Sequence, residues 1–62
     1  MAAHIRRPNL GDRVGVHGHE GAFLVVGVNV EGRMATVQLI ATGRVLFEGV
    51  PWAALIYPAH QR

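Results

Sequence analysis

Between Gly11 and Pro58 the apolar residues fall into five short runs, each closed by a turn signal. Short β-branched runs bounded by glycine and proline are the pattern of strands. The runs predict strands at residues 13–16, 22–30, 34–40, 44–48 and 55–57. The last two are joined by Gly49-Val50-Pro51-Trp52-Ala53-Ala54-Leu55. That link is too short for a helix and too constrained by proline for a strand. It predicts one tight helical turn over residues 51–54, with Pro51 setting its start.

The turns carry an expectation about register. Glu31-Gly32 has the form of a two-residue hairpin turn, which sets Val28 opposite Ala35, Val26 opposite Val37 and Leu24 opposite Leu39. A three-residue loop at residues 41–43 with Gly43 left-handed sets Val45 opposite Leu39 and Phe47 opposite Val37. A slip of one residue would exchange the two faces. In this register Leu24, Val26, Val28, Ala35, Val37, Leu39, Val45 and Phe47 point inward. The reverse face holds Phe23, Val25, Ile40 and Leu46, an exposed apolar group of the kind that marks a contact surface. Trp52 reads as a core plug. Strand, wide loop, three-strand meander, helical turn and final strand is an order that resembles the SH3-like barrels. The expected fold is therefore all-β: a five-stranded SH3-like barrel with one short 3-10 turn before the last strand. The expected domain is residues 10–58, between a loose arm at 1–9, which contains Pro8 and lacks periodicity, and a tail at 59–62.

A chain of 62 residues is one domain and buries only about 60% of its unfolded surface. Small folds compensate with disulfides, a metal or self-association. Disulfides are excluded because there is no cysteine, and with 50% hydrophobic but only 16% charged residues there are few charges to cover the surface. Self-association is the leading expectation. The net charge of +2 rests on six arginines and no lysine, a weak field despite the high isoelectric point. Residues 1–10 carry two arginines with no apolar stretch after them, unlike a signal peptide, and the longest apolar stretch, residues 22–28, is far short of a membrane span. The expected setting is the cytoplasm.

Two further resemblances concern function. Gly11-Asp12-Arg13-Val14, Val16, Gly18 and Gly21 resemble the opening of KOW motifs in ribosomal and transcription-elongation proteins, which implies an RNA or RNA-polymerase partner. Gly11-Asp12-Arg13-Val14, Val26-Gly27 and Pro51-x-Ala53-Ala54-Leu55 look like the plasmid-type (type II) dihydrofolate reductases. Those are tetramers of SH3-like barrels binding folate and NADPH in a shared pore. Their Val-Gln-Ile-Tyr before the proline stands here as Phe47-Glu48-Gly49-Val50, different at all four places. That resemblance implies the fold and self-association, not the reductase activity.

Catalytic chemistry has little to draw on. The chain lacks serine as well as cysteine, leaving Thr36 and Thr42 as hydroxyl nucleophiles. Asp12, Glu20, Glu31 and Glu48 lie at turns or strand ends without converging spacing. His17-Gly18-His19-Glu20 gathers metal-ligand types, but a zinc shell needs three or four groups in fixed geometry; exposed histidines in a solvated loop account for it as well. No cofactor and no metal is expected. For nucleic acid the candidate cations are Arg6, Arg7, Arg13, Arg33 and Arg44, with Phe23 and Tyr57 as the aromatics left for base stacking. The leading expectation is a non-catalytic module that self-associates through Phe23, Val25, Ile40 and Leu46. A KOW-like nucleic-acid binder and an oligomeric reductase-like ligand binder are the alternatives.

Overall fold

In the computed structural model, which describes residues 5–58, the chain is all-β. β1 (Arg13–Val16) is followed by β2 (His19–Asn29), β3 (Met34–Leu39), β4 (Leu46–Pro51), a 3-10 turn (Trp52–Ala54) and β5 (Leu55–Ile56). The strands pair antiparallel in one sheet of order β4-β3-β2-β1-β5. No pairing joins β4 to β5, so the sheet is open and these two are its edges.

The edges are nonetheless tethered. A flat five-stranded sheet would hold its outer strands about 19 Å apart, four strand spacings. Here β4 passes to β5 through three 3-10 residues, a rise of roughly 8 Å from Pro51 to Leu55. The sheet must coil to bring its edges that close at this end. The His17 N–H donates to Ala54 O at 2.8 Å, fastening the end of β1 to the turn.

Bulges set how the sheet coils and which side chains it encloses. Val25 pairs with Val37 but Gly27 with Thr36, leaving Val26 as an extra residue in β2. On the other side of β3, Ala35 pairs with Val50 and Val37 with Phe47, so Glu48 and Gly49 together face Thr36. Both neighbours of β3 are thus bulged at the level of Thr36, and bulges sharpen local bend and twist. Gly49 takes φ 68° there, a left-handed conformation that costs an L-residue roughly 1–2 kcal/mol. Gly49→Ala is expected to lower stability by about that amount, read as a shift in the urea midpoint with an unchanged slope.

The bulge at Val26 corrects the expected faces of β2. The hairpin register survives as far as Val28 opposite Ala35, although the turn is four residues, 30–33, with Arg33 rather than a glycine left-handed (φ 55°). Beyond the extra residue the alternation reverses. Phe23 and Val25, expected outside, are each 1% exposed, whereas Val26, expected inside, is 42% exposed. Leu24 opposes Gln38 instead of Leu39. On the far side of β3 the expectation holds in part: Gly43 is left-handed at φ 69° and Phe47 faces Val37, but β4 starts only at Leu46, and Val45, expected inside, is 38% exposed.

The enclosed face is built of Val14, Val16, Phe23, Val25, Ala35, Val37, Val50, Trp52 and Leu55, with Val28, Leu39, Phe47, Ala54 and Tyr57 packed around them. Among the described residues no polar or charged residue is fully buried. Trp52 plugs this core, its Nε1 donating to Met34 O at 2.9 Å. Pro8 is fully buried and Arg6 lies 3.9 Å over the Tyr57 ring, so this part of the chain before β1 packs against the body. His17 and Gly18 form the turn between β1 and β2, while His19 and Glu20, expected in a loop, already belong to β2.

Candidate association surface

Directly opposed residues of antiparallel strands share a face. Arg13 opposes Leu24, Leu24 opposes Gln38 and Gln38 opposes Leu46. These four make a row across β1 to β4 on the solvent side, since Val14, Phe23, Val25 and Val37 beside them point inward. A neighbouring row holds Ile56, Gly15, Ala22 and Ile40: Gly15 pairs with Ile56, and the Ile40 N–H donates to Ala22 O at 3.0 Å. Val26, Thr36 and Glu48 continue the face at the level of the bulges.

Of the four residues expected on this surface, Ile40 (40% exposed) and Leu46 (52%) are there. Phe23 and Val25 are not; their places are taken by Leu24 and Val26. The outer face is therefore still apolar at its centre, with Leu24 and Val26 on β2, Ile40 just after β3 and Leu46 on β4. The signal for the exchange was Gly27, since a glycine inside a strand pattern often marks a bulge. The rim is polar. Arg13 lies on the β1 side and Glu48 on the β4 side, while Gln38 is held flat by donating through Nε2 to Gly43 O.

Concavities flank this face. A hollow of about 320 Å³ lies over Gly15 and Ala22, walled by Arg13, Ile56 and Tyr57. At the open seam, a groove of about 460 Å³ is bounded by Val16, His17 and His19 on one side and by Phe47, Glu48 and Val50 on the other. The His19 ring packs 4.6 Å from that of Phe47, which lies 5.4 Å from Phe23. Among the described residues no three histidines or carboxylates gather as metal ligands. His17 and His19 flank a turn, and Glu20 follows on the other face of the strand from His19.

The five candidate arginines do not form one groove. Arg33 and Arg44 sit at opposite ends of β3, a strand of six residues spanning roughly 20 Å. Arg6 is stacked on Tyr57, Arg7 is exposed before β1 and Arg13 is on the outer face. None of the four aromatic residues is exposed: Phe23 and Trp52 are buried, Phe47 and Tyr57 half-buried. Phe23, expected to be available for stacking bases, is therefore withdrawn into the core. Burial pushes the Tyr57 phenol above its ordinary range; the Asp12 carboxylate adds to this and Arg6 opposes it. The Tyr57 hydroxyl is buried without a hydrogen-bond partner among the described residues.

No helix among the described residues is long and apolar enough to cross a membrane. Comparison of the chain with protein-family models, with curated proteins and with solved structures finds no match.

Proposed function

We propose that this chain is a non-catalytic SH3-like barrel that self-associates through the outer face of its meander, with Leu24, Val26, Ile40 and Leu46 at the centre of the contact. The barrel reading is supported by the strand order, by the bulges that coil the sheet and by the short 3-10 link between its edges. The association reading is carried by one observation. Four apolar side chains on adjacent strands share a solvent-facing surface, Val26, Ile40 and Leu46 exposed and Leu24 half-buried among them. A domain this small also gains from covering such a patch, because its single core leaves little margin.

Sedimentation velocity across the micromolar range tests the reading. The native chain is expected to show a reversible dimer or larger species. Ile40→Asp, which places a charge on the face at an exposed side chain outside the core cluster, is expected to weaken association at least tenfold, or about 1.4 kcal/mol. Its far-UV circular dichroism should be unchanged. A native chain that sediments as a clean monomer throughout the range sinks the reading.

A further inference from the structure

The rim of the outer face carries opposite charges at its two ends, and this specifies how two copies meet, given the self-association proposed above. Sheets pack face to face either aligned or orthogonal; the aligned packing, which keeps the rows of this face in contact along their length, holds the strands within about 30° of one another. A two-fold axis in the contact plane therefore runs either across the strands or along them. An axis across the strands lays β1 over the partner's β1, which brings Arg13 toward the partner's Arg13. Like charges brought together in this way disfavour an arrangement. An axis along the strands, between β2 and β3, lays β1 over the partner's β4 instead.

We infer that the chain forms a two-fold dimer about this second axis, in which Arg13 of each copy meets the partner's Glu48. Arg13 lies level with Leu46 in its row. Glu48 is two residues farther along β4, a displacement of about 7 Å that an arginine side chain spans. The same operation sets Ile40, exposed on β3's side of the axis, over the partner's Ala22, beside the roughly 320 Å³ hollow above Gly15 and Ala22. Knob and hollow lie in one row on opposite sides of the axis, so the contact is made twice, as a two-fold interface requires. Leu24 and Val26 fill the space nearest the axis.

Charge reversal separates this geometry from the broader reading. Dissociation constants would be measured by sedimentation velocity for the native chain, Arg13→Glu, Glu48→Arg and the double variant. Each single reversal puts like charges together at two places in the dimer and is expected to weaken it about tenfold. The double variant restores both pairs and is expected to return to within about threefold of the native value. Both positions are exposed, so unchanged circular dichroism would show that folding is intact. Recovery in the double variant supports the dimer. Dimers insensitive to the single reversals, or not recovered by the double, overturn this geometry while leaving self-association standing. A monomeric native chain overturns both.

Discussion

Phe23→Ala is expected to remove most of the stability of this domain. The ring is almost wholly enclosed, lies 5.4 Å from that of Phe47, and belongs to the inner row with Val14 and Leu39. Truncating a buried phenylalanine to alanine costs roughly 3–5 kcal/mol, part transfer and part cavity. A domain of this length has a total stability of roughly 3–9 kcal/mol at the usual value per residue. At the middle of both ranges about two thirds of the stability is lost, so the urea midpoint of the variant should fall by more than half. Val26→Ala is the matched control: on the outside of the bulge, it is expected to cost less than about 1 kcal/mol. Urea denaturation of the two variants checks the bulge itself, since an unbulged β2 would reverse their order.

Trp52→Ala should rank beside it. Trp52 closes the core at the end where the two sheet edges are tethered. It also ties the 3-10 turn to the start of β3 twice, through its N–H to Arg33 O at 3.0 Å and its Nε1 to Met34 O at 2.9 Å. Loss of the side chain is expected to cost about 3–5 kcal/mol. Trp52→Phe keeps most of the apolar contact but leaves the Met34 carbonyl without its indole donor, a loss of about 1–3 kcal/mol. An alanine-to-phenylalanine difference measured by chemical denaturation thus divides packing from the hydrogen bond. In the native chain this single tryptophan should emit at short wavelength and resist a soluble quencher. Equal stability of the native chain and the alanine variant would rule out the core-plug role.

The two expectations differ in how far each was legible in the sequence. Trp52 could be placed because its neighbours constrain it: Pro51 fixes the backbone before it, and the link to Leu55 is too short to carry it away from the sheet. The left-handed Gly43 and the facing of Phe47 with Val37 were legible in the same way, because a short loop and strict alternation leave one sorted arrangement. Phe23 was placed on the wrong face for a related reason. Strand alternation was carried unbroken through Val25-Val26-Gly27, where one extra residue reverses every position before it. The surface inherited that error only in part. Ile40 and Leu46 lie beyond β2 and stayed outside, while Leu24 and Val26 replaced Phe23 and Val25.

Local chemistry therefore determined the class of the fold, the succession of strands, the helical turn and the presence of an apolar outer face. Those follow from residue periodicity and from the φ preferences of proline and glycine, which act within a few positions of chain. Only the tertiary structure decided which side chains occupy that face. A bulge is a compromise between neighbouring strands: Thr36 of β3 accommodates an extra residue on each flank, and the gain is a coil tight enough for three residues to link β4 to β5. Gly27 marks where such a bulge can fall, but its energy comes from contacts far apart in sequence, so no short window of the chain fixes it.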